Sequence, residues 1–204
     1  MIDSLTFFSD LVIGPNFESE QLTSSSQQNI ATHRPRIFED MIYQHRFENV
    51  TDYLHHRDPY LMVDRIVSIA DREIVTEKKI TGDEFFLAGH FPGAPIVPGA
   101  MIQEMSTQSA GILIAANFNP MKDYNTHDPF FNEYALGVLV KVGQAKYRGF
   151  ARPGEVLVAT VKMTEDVGSV YEFSCQVMLG DKRIMKNTFC LTNIKSTVLQ
   201  GVEA

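Results

Sequence analysis

Between Pro98 and Asn117 the chain carries one charged side chain, Glu104; everything else in the run is apolar or uncharged. Proline is accepted at a helix start and excluded from its interior, so Pro98 marks a beginning, and Asn117 and Pro120 mark an end. The spacing predicts a helix from Gly99 to about Ala116. Met101, Ile102, Met105, Ile112 and Ile114, set among small residues, leave that helix apolar nearly all round. Such a helix belongs in the interior of a fold. The rest of the chain therefore has to build a wall around it.

Strands are available for the wall. Residues 61–69 and 72–80 are β-rich runs on either side of Ala70-Asp71, the pattern of a hairpin. Residues 134–142 and 144–150 add more strand, with a bulge or bend expected at Gly143. Residues 156–165, 169–179 and 182–193 follow, the last two joined by the tight turn Gly180-Asp181. Within them Tyr171, Phe173, Cys175, Val177 and Leu179 alternate with Glu172, Ser174 and Gln176, the period of a sheet with one dry face. The expected class is α+β, one antiparallel sheet wrapped around one long buried helix. An apolar share of 44% suffices for such a core.

Residues 1–50 differ in character. They include the polar tract Ser24-Ser25-Ser26-Gln27-Gln28-Asn29 and are expected to form a partly ordered N-terminal extension ahead of one domain at 51–204. A net charge of −7 argues against a nucleic-acid binder, which needs a clustered basic face. No apolar run is long enough for membrane insertion. The start, Met1-Ile2-Asp3-Ser4, has no Lys or Arg ahead of its short apolar run, so no secretory signal is expected. Cys175 and Cys190 suit buried thiols in a reducing compartment. A cytoplasmic protein is expected.

Glu104 is the first candidate for chemistry. An ionised carboxylate on a buried helix must be paired, hydrated in a cavity or protonated. Gln108 lies four residues on, on the same helical face. Ahead of the helix, residues 89–99 place Pro92, Pro95 and Pro98 at intervals of three, with Gly89, Gly93 and Gly99 between and beside them. Such a loop can hold one fixed shape and present the first helix amides, near Gly99, as free donors for a developing oxyanion. His90 heads the loop, and an imidazole with a pKa near ~6.5 can act as a base at neutral pH. Adjacent His55 and His56 do not have the spacing of a metal site, and no metal is expected.

The run His90-Phe91-Pro92-Gly93, then Pro95, Pro98-Gly99, Glu104 and Gln108, resembles the signature of the bacterial β-hydroxyacyl-acyl-carrier-protein dehydratases. Upstream, Leu54-His55-His56-Arg57-Asp58-Pro59-Tyr60-Leu61-Met62-Val63-Asp64-Arg65 is similar to that family's opening segment. Downstream, Ala145-Lys146-Tyr147-Arg148 with Pro153-Gly154 is similar to its later strand and turn. The likeness spans residues 54–193 and implies a hot-dog fold. It also implies a homodimer or higher even oligomer, with His of one subunit and the acid of the other sharing a tunnel. Departures occur at His55 and Asp58, where a proline and an aromatic residue are more usual, at Gln103, and in the longer stretch 118–133. They bear on the substrate rather than on the chemistry.

The implied reaction is dehydration of a 3-hydroxyacyl thioester on acyl carrier protein to the trans-2-enoyl product, without a cofactor. His90 would take the α-proton, the Gly99 amide would bind the thioester oxygen, and Glu104 would protonate the leaving hydroxyl. Phe91, Pro98 and Gln108 would line the tunnel, and Lys146, Arg148 and Arg152 would face the carrier. A hot-dog thioesterase and a non-catalytic acyl-binding module are the alternatives. The stretch 118–133 is expected over the tunnel or its mouth, with its aromatic residues, Phe130 and Phe131 among them, as the contact surface.

Overall fold

The computed structural model describes residues 41–199 apart from 129 and 169. In chain order these residues form α1 (Val50–Tyr53), β1 (Arg65–Ile69), β2 (Glu73–Lys79), α2 (Gly99–Asn117) and β3 (Tyr134–Tyr147). After them come β4 (Val156–Val167), β5 (Val170–Leu179), β6 (Lys182–Lys195) and α3 (Ser196–Leu199). The strands make one 6-stranded sheet in the order β1-β2-β4-β5-β6-β3. Every neighbouring pair is antiparallel.

The sheet wraps α2, which is buried without a break from Met105 to Asn117. Ile112, Leu113 and Ile114 meet Ile74, Leu157, Phe173, Phe189 and Leu191 in one core, whose burial from water is the main force closing the fold. Several polar side chains on this helix find partners within a turn. Ser106 and Thr107 donate to Gln103 O at 2.6 and 3.1 Å, and Ser109 donates to Met105 O at 2.7 Å. Asn187 Nδ2 on β6 donates to Gln103 Oε1 at 2.6 Å and to Ser106 Oγ at 2.9 Å. A helix can carry Ser106, Thr107 and Ser109 indoors because each hydroxyl finds a partner.

The elements expected from the pattern are present, with two differences. β1 begins at Arg65 rather than at residue 61. Met62 and Val63 are fully buried, but the Met62 amide goes to Gln108 Oε1 at 2.8 Å instead of to a strand. β3 continues through Gly143, and its register with β6 shifts between Val142 and Ala145, which is where the bulge was expected.

Residues 41–50, the described part of the expected extension, lie over the C-terminal end of α2. His45 N and Arg46 Nη1 both donate to Ala116 O, at 2.8 and 2.9 Å, and Tyr43 N donates to Asn119 O at 2.8 Å. They supply donors, one of them cationic, where helix carbonyls lack partners. Residues 1–40 lie outside the described residues.

β3 is an edge strand. From Lys141 to Tyr147 every residue is exposed, on both faces of the strand, Val142 and Tyr147 included. No helix among the described residues is long and apolar enough to cross a membrane.

Candidate active site

Glu104 stands in the second turn of α2, and three groups converge on it. Gln108 Nε2 donates to Glu104 Oε1 at 2.9 Å, as the shared helical face requires. Gln108 is itself locked: its Nε2 also reaches Tyr60 O at 2.9 Å, and its Oε1 takes the Met62 amide. The opening segment 54–65 is thereby pinned across the helix by one side chain. This brings His56 Nε2 to 3.7 Å from Glu104 Oε1 and stacks the His56 ring on Tyr60, with centroids 6.0 Å apart.

Burial holds the His56 pKa below its ordinary value, with Glu104 pulling it back up and Arg57 adding to the depression. His56 Nδ1 is buried without a partner among the described residues. The Tyr60 phenol is pushed up, first by burial and then by the charge and hydrogen bond of Glu104. In the sequence His56 and Tyr60 stand within the family-like opening segment, and neither is a candidate for the site; His56 is considered further only as a metal ligand. The available signal was their place in the opening segment, a few residues from the strand that must cross the helix.

Glu104, His56 and Tyr60 open onto a cavity of about 540 Å³. It runs between α2, the segment 53–56 and the first half of β3, with Thr107, Gly111 and Leu136 in its walls. Of the stretch 118–133, Tyr124 and Asn132 line this cavity. Phe130 and Phe131 do not; they are 82% and 48% exposed and border a neighbouring groove.

The loop before α2 is held by its own backbone. His90 N donates to Leu87 O at 3.2 Å and Ile96 N to His90 O at 2.9 Å, while His90 Nδ1 contacts Ile96 O at 3.0 Å. A carbonyl only accepts, so Nδ1 carries the proton there and Nε2 is left as the free basic nitrogen. The Phe91 ring stacks on His90 at 4.1 Å and is 53% exposed. Pro98 caps the helix, its carbonyl taking the Met101 and Ile102 amides, and the Gly99 and Ala100 amides have no backbone acceptor among the described residues. Gly99 has a second reason to be glycine, since a Cβ there would come within 3.2 Å of the Tyr147 ring.

Glu104 and Gln108 are thus brought together, and His90, Phe91, Pro98 and Gly99 form a separate group at the helix N-terminus. His90 is not among the residues lining the Glu104 cavity. Lys146, Arg148 and Arg152 are exposed on a segment that passes that N-terminus, where Val97 N donates to Ala151 O at 2.8 Å. Arg152 lies 6.0 Å over the Phe150 ring.

Residues 54–188 match the FabA-like domain. The chain belongs to that family. Its relatives include two proteins named 3-hydroxyacyl-[acyl-carrier-protein] dehydratase FabZ. The one from Syntrophobacter fumaroxidans is 31% identical over 66% of this chain and 84% of the relative. The one from Coxiella burnetii is 32% identical over 68% of this chain and 94% of the relative. Among solved structures, a chain of the dehydratase heterocomplex ApeI:P from Xenorhabdus doucetiae superposes with a TM-score of 0.58 at 14% identity, over 78% of this chain and 100% of that one. The shared fold of the family is the hot dog, a curved antiparallel sheet around one helix.

Proposed function

We propose that this chain is a 3-hydroxyacyl-[acyl-carrier-protein] dehydratase, with His90 as base and Glu104 as acid. The observation that carries this reading is the solitary carboxylate of Glu104, held by Gln108 at the head of a cavity in a FabA-like domain. The acyl thioester would lie with its carbonyl oxygen at the Gly99 amide, which suits an oxyanion at a helix N-terminus. His90 Nε2 removes the C2 proton, and the electron pair left on C2 forms the C2=C3 bond. The C3–O bond breaks as Glu104 gives its proton to the departing hydroxyl, which leaves as water. His90 then holds one proton more and Glu104 one fewer, and transfer between them, directly or through water, restores both.

His90 lies outside the Glu104 cavity of its own chain, and β3 offers an exposed edge bearing Val142 and Tyr147. Both support a homodimer in which each site takes His90 from one subunit and Glu104 from the other, and a higher even oligomer could stack such pairs. Phe91 and Pro98 would then wall the joint tunnel. Lys146, Arg148 and Arg152, beside the helix N-terminus, would meet the acidic carrier or its phosphopantetheine. The free thiols of Cys175 and Cys190 suit a cytoplasmic protein.

The test is mass-spectrometric analysis of products from 3-hydroxyacyl carriers. Loss of one water with the thioester intact is expected. Release of free acid would establish a thioesterase instead, and binding without turnover would establish an acyl-binding module.

A further inference from the structure

Two departures from the family pattern, His55 and the long connection 118–133, meet at one point of the cavity wall. Asn132 Nδ2 donates to His55 Nε2 at 2.8 Å. Asn132 is anchored within the connection, giving Nδ2 to Asn125 O at 2.8 Å and accepting the Asn125 amide at 3.1 Å. Tyr124 of the same connection donates its hydroxyl to Tyr53 O at 2.8 Å. His55, Tyr124 and Asn132 all line the cavity that begins at Glu104.

The cavity follows the helix. Glu104, Thr107 and Gly111 line it from one face of α2, at the spacing that stacks side chains along a helix. At Gly111 the walls converge. A Cβ on Gly111 would lie 3.3 Å from Leu54 Cδ2, and one on Gly137 would lie 3.0 Å from Gly111 Cα, so strand and helix backbones touch. Leu54 packs at this same end, and Tyr53 beside it takes the Tyr124 hydroxyl, while His55 follows Leu54 in the chain and joins Asn132. On the far side of Asn132, Tyr134 and Ser196, which border both spaces, lies a second groove of about 730 Å³ that includes Phe130 and Phe131.

We infer that the His55–Asn132 bridge, with Tyr124, is the stop that sets acyl chain length, so that the substrate is a medium-length 3-hydroxyacyl chain. The assignment rests on the dehydratase reading, which puts C3 at Glu104. From Glu104 to Gly111 the helix rises about 10 Å, and an extended chain covers about 3.8 Å in three bonds, so about eight bonds separate C3 from the stop. That corresponds to a chain of about ten to twelve carbons. Longer chains have to break the bridge to enter the second groove.

The experiment compares kcat/KM for butyryl-, decanoyl- and hexadecanoyl-type 3-hydroxyacyl carriers, because selectivity is a ratio of those values. The wild type is expected to favour the decanoyl type. His55→Ala, which removes no backbone hydrogen bond, and Asn132→Ala should each raise the hexadecanoyl-to-decanoyl ratio by at least ~10-fold. Gly111→Ala, which puts a methyl into the narrow end, should lower the decanoyl-to-butyryl ratio by at least ~10-fold. A wild type indifferent to length, or unchanged ratios in the folded variants, would overturn the stop while leaving the dehydratase intact. If the wild type dehydrates no carrier, the dehydratase reading fails. The same ratios, measured as dissociation constants for saturated acyl-pantetheine amides, then decide the stop alone.

Discussion

Gln108 shows how one side chain serves both the fold and the site. Its amide ties the opening segment to α2 through Met62 N and Tyr60 O, and the same nitrogen fixes Glu104. Backbone bonds of the loop hold the frame of His90 beside its own contact to Ile96 O, and Gln108 and the helix hold that of Glu104, so both can be replaced without collapse. His90→Ala and Glu104→Gln are each expected to slow dehydration by at least ~10²-fold, with circular dichroism and melting unchanged; near-normal turnover in either folded variant would remove that residue from the reaction.

His56 carries a pH consequence. Burial lowers its folded pKa below the unfolded value of about 6.5. A depressed base favours the neutral form in the fold, so the stability it contributes is present above about pH 6.5 and is lost as pH falls through the folded pKa. Urea titrations at about pH 7.5 and about pH 5.5 should show a smaller loss of stability in His56→Asn than in the wild type. Equal losses would mean that the Glu104 charge offsets the burial of His56 entirely.

At the scale of elements, the contact between α2 and β3 is the tightest constraint. Gly137 has φ +69, a left-handed conformation that costs an L-residue about 1 kcal/mol or more. An added Cβ would also press on Gly111 at 3.0 Å. Strain and overpacking together should make Gly137→Ala about 2–4 kcal/mol less stable. The midpoint of urea unfolding would measure it, and an unchanged midpoint would show that the strand can move away from the helix. The elements themselves were legible because their signals are local: helical spacing in α2, a period of two in β5, and punctuation by Pro98, Gly143 and Gly180. β1 was overextended because Met62 and Val63 have strand-like side chains while the Met62 amide is claimed by a side chain 46 positions away.

For the whole molecule, the edge at β3 and the separation of His90 from the Glu104 cavity point the same way. Mixing inactive His90→Ala with inactive Glu104→Gln should restore about a quarter of the activity if subunits exchange at random, since half the dimers are mixed and each of those has one complete site. No recovery in dimers shown to be mixed would put both groups in one chain. Val142→Asp, on the exposed edge, should shift the protein toward monomer in light scattering and lower activity with it.

Composition, the run 98–117 and the loop 89–99 determined that a buried helix lies inside a sheet, and they singled out His90, Gly99, Glu104 and Gln108. Those signals survive in one dimension because a helix's repeat, a proline frame and a lone charge each depend on neighbours in sequence. The meeting of His56 and Tyr60 with Glu104, and of His55 with Asn132, was decided only in the tertiary structure. So was the choice of Tyr124 and Asn132, rather than Phe130 and Phe131, as the cavity wall. These contacts join residues some 44 to 77 positions apart, and they follow from how the sheet curves and where Gly111 and Gly137 let two backbones touch. No local pattern encodes that approach, because it is set by the packing of the whole core.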